Sequence, residues 1–269
     1  MPFVRVDNLN FAYERIGDGP PLLLIAGFGC DRSFWKRHQV EPFAERYEVI
    51  IYDNRGIGDS DLSPVPYDMC RLTEDAVELL DALNIDRAHV VAPSMGGMIA
   101  LELAIRYPLQ VRSLMLSGSA ARSDGWIVAK QRFYARLAEI VSSEADFNEI
   151  KAQFNALFLF SPPFYEDPAA LDRYLDLARL SAPPMEAFLA QSQAIAAFDV
   201  RAELHRIACP TLLLVGEDDM VIPRRFSEEL ATLIPGAELE VLPGVGHLIT
   251  HEAPEVFNER VMAFLKSVE

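Results

Sequence analysis

Ala88-His89-Val90-Val91-Ala92-Pro93-Ser94-Met95-Gly96-Gly97-Met98-Ile99-Ala100 is the stretch whose reading decides the fold. A short apolar run rich in β-branched residues meets an abrupt turn that carries a serine, and a helical pattern opens on two glycines. Such a strand-to-helix corner presents its serine at an edge, with small neighbours, Ala92 and Gly96, letting strand and helix approach closely. The peptide N–H of Met95, at the first turn of the predicted helix, points toward the serine oxygen, where backbone donors and the helix dipole favour developing negative charge. By itself the corner supplies half of a catalytic site. A base, an acid and a second oxyanion donor must come from elsewhere in the chain.

Outward from this corner, strands and helices alternate. Phe3 to Tyr13 reads as a hairpin turned near Asp7-Asn8, and the alternation of Met1 to Tyr13 is that of a strand, not of a secretion signal. Leu22 to Ile25 is an apolar run suited to a strand covered on both faces. Gly27-Phe28-Gly29 follows in a loop that can aim the Phe28 N–H at an oxyanion; Arg32 at the third glycine position argues against a dinucleotide fingerprint. A single helix is predicted over 31–47, then a strand to Tyr52 and a Gly-rich turn in which Asp53 and Arg55 brace the backbone. Tyr67 to Leu83 is an amphipathic helix feeding the strand that ends at Ser94. A helix over 96–107 and a strand over 111–116 follow.

The alternation stops between about Ala120 and Asp199. This segment is helical in pattern, broken at Ser161-Pro162-Pro163 and Ala182-Pro183-Pro184, and it holds eight of the 16 phenylalanines (133, 147, 154, 158, 160, 164, 188 and 198). An insert so aromatic suits a lid over an apolar pocket. Strand rhythm returns at 209–215 and 238–242, each strand followed by a polar loop, Gly216-Glu217-Asp218-Asp219 and Pro243-Gly244-Val245-Gly246-His247. Helices over 224–233 and 254–266 complete the expectation: an α/β fold with a mainly parallel, doubly wound sheet, its core formed by residues 1–119 and 200–269, with a helical cap over 120–199.

Ser94, Asp219 and His247 each fall in the loop after a predicted interior strand, and such loops in a parallel sheet open on one edge. A serine hydroxyl needs an imidazole to accept its proton, and the imidazole needs a carboxylate to fix its tautomer. His38, His89, His205 and His251 compete with His247 for the base. Asp218, Glu217 and Asp124 compete with Asp219 for the acid. His247 and His251 are spaced like two metal ligands on a helix, but no His-Glu-x-x-His accompanies them, and neither metal nor cofactor is expected.

Through Gly27-Phe28-Gly29, Asp53 to Ser60, Ser94-Met95-Gly96-Gly97, Gly216 to Asp219 and Gly244 to His247, the chain resembles the α/β-hydrolase superfamily over nearly its whole length. That resemblance implies Ser94 as nucleophile, His247 as base, Asp219 as its orienting acid, and the Phe28 and Met95 N–H groups as oxyanion hole. The Ser-Met-Gly-Gly elbow and the helical insert are most similar to the small esterase, enol-lactonase and carbon–carbon hydrolase branch. The implied activity is hydrolysis of a carboxylic ester or lactone. Carbon–carbon cleavage of a vinylogous diketone and a ligand receptor on the same scaffold are the alternatives. Gly27, Cys30, Trp126, Phe158 and Val221 are candidate substrate contacts. Two departures stand out: Ala26-Gly27 replaces the usual His-Gly, and Ala92-Pro93-Ser94 replaces Gly-x-Ser.

Composition narrows the partners. Forty acidic against 24 basic residues give a net charge of −16, which argues against nucleic acid and anionic membranes and for a small-molecule substrate. No apolar run approaches the roughly 20 residues of a membrane span. Three cysteines without a CxxC pair suit reduced thiols in a cytoplasmic protein. The oligomeric state leaves no mark on the sequence.

Overall fold

A computed structural model describes residues 2–269, leaving Met1 of the predicted N-terminal strand outside the described residues. The chain opens with β1 (Phe3–Val6) and β2 (Leu9–Ile16), an antiparallel pair joined at Asp7 and Asn8. Both turn residues have positive φ, 44° and 64°, as a two-residue turn matching strand twist requires. Then come β3 (Pro21–Leu24), β4 (Glu48–Tyr52), β5 (Ala88–Pro93), β6 (Val111–Ser117), β7 (Thr211–Gly216) and β8 (Glu238–Leu242). They form one eight-stranded sheet in the order β1-β2-β4-β3-β5-β6-β7-β8. β2 pairs with β4 antiparallel, and every pairing from β4 to β8 is parallel.

The continuous apolar runs now have their explanation. Successive residues of a strand point to opposite faces, and here both faces are covered. Leu23, Ile50, Tyr52, Val90, Ala92 and Leu213 join the core on one face. Leu22, Leu24, Val49, Ile51, Val91, Leu212 and Leu214 join the core on the other. The first face is covered by α3 (Met69–Ala82) and α4 (Ser94–Arg106), with α9 (Arg225–Leu233). The second is covered by α1 (Ser33–Lys36), α2 (Val40–Ala44), α10 (Ile249–Glu252) and α11 (Pro254–Ser267).

One predicted helix is corrected. Residues 31–47 form two short helices, α1 and α2, in place of one. Pro42 has no N–H to give the His38 carbonyl, and its ring would crowd that oxygen, so a single helix cannot continue from α1 into α2. The freed His38 carbonyl instead accepts a hydrogen bond from Asn258 Nδ2 of α11 at 2.7 Å.

Between β6 and β7 the chain leaves the sheet through α5 (Gly125–Ile140), α6 (Glu144–Leu159), a 3-10 turn (Pro162–Glu166), α7 (Pro168–Leu180) and α8 (Met185–Ala196). The two ends of this insert run side by side: Ser123 N–H donates to the Phe198 carbonyl and Val200 N–H to the Ala121 carbonyl, both at 2.9 Å. Tyr134, Leu137, Phe147 and Phe188 make a core of the insert's own. The described residues contain no helix long and apolar enough to cross a membrane.

Candidate active site

Ser94 stands at the junction of β5 and α4 with φ of +52°, a left-handed conformation that residues bearing a Cβ adopt only where their surroundings hold them. The surroundings are tight. A Cβ at Gly96 would lie 2.4 Å from the Ile25 carbonyl oxygen and 2.8 Å from that of Ala26, so the first turn of α4 can press against the end of β3 only with glycine there. Pro93, the last residue of β5, lies in extended backbone at φ −89° and ψ 154°.

Asp219 and His247 come from the loops after β7 and β8. His247 Nδ1 lies 2.7 Å from Asp219 Oδ2, and both side chains are buried. The other Asp219 oxygen accepts the Val221 and Ile222 N–H groups, each at 2.8 Å, which fixes the carboxylate's orientation. Gly118, after β6, closes the gap above the pair: a Cβ there would sit 2.8 Å from Asp219 Oδ2 and 3.0 Å from His247 Nδ1. The His247 backbone is itself anchored, its N–H donating to the Leu159 carbonyl at 2.8 Å. Glu252 ties the same loop to the insert, accepting from Gly246 N–H at 2.8 Å and Ser161 N–H at 3.1 Å.

Ser94 and His247 line one cavity of about 440 Å³ between the sheet edge and the insert. Among the described residues no hydrogen bond joins the Ser94 hydroxyl to the imidazole, a contact that often tightens only around substrate. Met95 is the second residue of α4, in the first turn, where backbone N–H groups have no intrahelical acceptor. Phe28 lies in the loop after β3, whose backbone runs against the serine; a Cβ at Gly27 would be 3.6 Å from Ser94 Cβ. Gly29 N–H in that loop donates to Gln191 Oε1 of α8 at 2.9 Å. A side-chain brace thus reaches the loop from the insert, where Ala26 supplies none.

Of the candidate substrate contacts, Gly27, Cys30, Phe158 and Val221 line the cavity. Trp126 does not, and that expectation is corrected: the residue is 39% exposed, and its indole N–H donates to the Val221 carbonyl at 3.3 Å. Position 126 falls on the outer side of the first turn of α5, which local sequence does not reveal. Burial pushes the Cys30 thiol up to about 12, so it packs as a neutral group.

The competing histidines and acids go elsewhere. His89 is buried in β5 with Nδ1 2.8 Å from Ser113 Oγ. His205 is exposed in a 3-10 turn. His38 stands edge-on to His251 at 5.8 Å. His251 lines the cavity, but its Nδ1 meets Thr250 Oγ1 at 2.9 Å and burial lowers its pKa to about 4. Asp124 caps α5, accepting the Trp126 N–H at 2.9 Å, and pairs with Arg225 at 3.1 Å. Glu217 is exposed and Asp218 half-buried. Asp53 pairs with Arg32 and Arg55 with Asp75, a structural bracing of the turn after β4. Among the described residues no group of three or more His, Cys, Asp or Glu is arranged to hold a metal ion.

Four polar residues at this site left no sign in the sequence: Gln191, which braces the loop after β3, and Lys130, Lys151 and Asn155, which line the cavity. Lys151 and Asn155 are four apart on α6, so they share a helix face with Phe158 and Leu159. That spacing was visible, but nothing local told which face of α6 looks toward the sheet.

Many known proteins are similar to this chain. A relative from Azorhizobium caulinodans, named carbamate hydrolase RutD, is 33% identical, with all of both chains covered. A 3-oxoadipate enol-lactonase of Acinetobacter baylyi is 35% identical over 96% of this chain and 93% of its own. A hydrolase from Pseudomonas aeruginosa superposes with a TM-score of 0.87 at 30% identity, covering 98% of this chain and 97% of that one. The model of the alpha/beta hydrolase family matches residues 22–260, from β3 through the insert and into α11. On that coverage, the chain belongs to the alpha/beta hydrolase family.

Proposed function

We propose that this protein is a serine hydrolase that cleaves a carboxylic ester or lactone of a small, largely apolar substrate, with Ser94 as nucleophile. The observation that carries the proposal is the convergence at one cavity of a serine held at positive φ and a buried imidazole whose Nδ1 is held by a carboxylate at 2.7 Å. That contact places the Nδ1 proton toward Asp219 and leaves Nε2 to act as base.

In this scheme His247 takes the Ser94 proton as the oxygen attacks the carbonyl. The tetrahedral oxyanion is held by the Phe28 and Met95 N–H groups, and His247 then returns the proton to the leaving oxygen. Water, activated by the same imidazole, hydrolyses the acyl-enzyme. The insert over 120–199 acts as a cap whose aromatic side chains exclude bulk water from this step. No metal or cofactor takes part in these steps.

The relatives named carbamate hydrolase favour a second substrate for the same groups, a carbamate, in which nitrogen flanks the attacked carbonyl and the intermediate is a carbamoyl-enzyme. Both versions are tested by one panel of aryl esters, small lactones, aryl carbamates and a dienoate on the wild type and Ser94→Ala. The proposal expects multiple turnovers by the wild type, and a fall in kcat of at least about 10³-fold in Ser94→Ala. Carbon–carbon cleavage of a dienoate with no ester, lactone or carbamate turnover would replace it, and binding without turnover would point to a receptor.

A further inference from the structure

The chain carries a large excess of carboxylates, yet the cavity wall inverts that balance. Its charged lining consists of one carboxylate, Asp31, and three cations, Arg37, Lys130 and Lys151, besides the two histidines already described. Asp31 is engaged in its own turn, accepting the Ser33 N–H at 2.7 Å. Arg37 is exposed at the rim. Lys130 donates to the Val221 carbonyl and lies 5.4 Å from the Trp126 ring centre, beside the loop that carries Asp219.

Lys151 differs from both. It is 7% exposed and stands on the buried face of α6, one turn from Phe147. Its Nζ lies 4.4 Å from the centre of the Phe188 ring and donates to Asn148 Oδ1 at 2.6 Å. An ammonium has three N–H donors, and among the described residues no carboxylate lies within ion-pair distance of this one. Burial accordingly lowers its pKa to about 8, against the small opposing influence of Cys30 and Glu144. A buried cation without a counter-ion costs free energy in the empty protein and is retained where a ligand supplies the charge.

A second donor stands beside it. Asn155, four residues on, accepts the Tyr134 hydroxyl at Oδ1 (2.6 Å), which directs its amide NH₂ away from that tyrosine; the residue lines the cavity. Lys151 is also linked to the oxyanion loop: Phe188, under its ammonium, stacks on Phe28 with ring centres 4.0 Å apart. The polar group is therefore set across the aromatic wall from the reacting centre.

We propose that the cavity takes a substrate bearing a carboxylate distal to the scissile carbonyl, received by the Lys151 ammonium and the Asn155 amide. One ammonium matches one negative charge, and the aromatic and aliphatic wall between the two poles matches a short hydrocarbon linker. The proposal deepens the hydrolase assignment above and rests on it only for the identity of the bond cleaved.

The test separates binding from turnover. Monomethyl glutarate, an ester with one free carboxylate, and neutral dimethyl glutarate are titrated calorimetrically into the Ser94→Ala protein. The monoanion is expected to bind about tenfold tighter or better, as hydrogen bonds to a charged group allow. The preference should disappear in Ser94→Ala/Lys151→Met and return in part in Ser94→Ala/Lys151→Arg, with cooperative melting showing that each variant folds. Equal affinity for the two esters, no binding of either, or a preference that survives Lys151→Met would each overturn the proposal. A Lys151-dependent preference in Ser94→Ala, together with no turnover of any ester, lactone or carbamate of the panel by the wild type, would leave the carboxylate site standing and defeat the serine-hydrolase assignment instead.

Discussion

Asp219 does two things with its two oxygens: one is held by the Val221 and Ile222 N–H groups, and the other meets His247 Nδ1. Asp219→Asn keeps the shape but offers an amide that can present a donor to Nδ1, so the imidazole adopts the wrong tautomer. A fall in kcat on the order of 10³- to 10⁴-fold is expected, with KM little changed, in steady-state kinetics on an aryl ester. Lys151 makes a prediction about stability. Its pKa falls from 10.5 to about 8 on burial. The folded state therefore releases this proton at lower pH than the unfolded chain. The destabilisation is in full below about pH 8 and fades as pH rises toward 10.5. Lys151→Met should stabilise the empty protein at pH 7 by about 2–3 kcal/mol, and by much less at pH 10. Urea melts at the two pH values measure this; an equal gain at both would contradict the assignment of the cost to the charge.

At the scale of elements, the sheet was legible because its strands announce themselves twice: as unbroken apolar runs such as Leu22 to Ile25, and as the polar loops that follow them. The corner at Ser94 was legible for a different reason, since Gly96 can be nothing larger against the Ile25 and Ala26 carbonyls. Gly96→Ala should destabilise the protein by about 1–3 kcal/mol, the usual range for overpacking, and lower kcat as α4 shifts, measured by urea melting and kinetics on the same preparation. What escaped the sequence was decided by contacts between elements distant in the chain. Pro42, in the first turn of α2, keeps α1 and α2 separate where the apolar spacing runs on. Gln191 reads as one polar residue of α8, yet it holds the loop after β3 across 162 positions. Gln191→Leu removes the acceptor of the Gly29 N–H, and about a tenfold loss of kcat at nearly constant KM is expected if the loop carries an oxyanion donor. A change in KM alone would detach Gln191 from that role. Trp126 shows the converse: an aromatic residue on the insert is no guide to the cavity until the facing of α5 is known.

Over the whole molecule, the net charge of −16 surrounds a cavity whose own charges are mostly positive. At long range an anionic ester is repelled and a neutral one is not. Added salt screens that repulsion within about a Debye length while affecting the buried Lys151 less. The ratio of kcat/KM for mono-p-nitrophenyl glutarate to that for p-nitrophenyl pentanoate should therefore rise as ionic strength increases from 10 to about 150 mM. A ratio that falls throughout would place the recognising cations at the surface. The fold supplies the common frame for these effects: a parallel sheet collects the loops after β3, β5, β7 and β8 on one edge, and the insert between β6 and β7 closes over them.

Everything turns on whether Ser94 is an activated nucleophile. Labelling with an alkyl fluorophosphonate, followed by peptide mass spectrometry, asks this directly. Ser94 is expected to carry the phosphonyl adduct in the wild type, at a rate lowered by several orders of magnitude in His247→Ala, with no adduct at this peptide in Ser94→Ala. An unlabelled Ser94, or labelling that proceeds at the same rate without His247, would contradict the account.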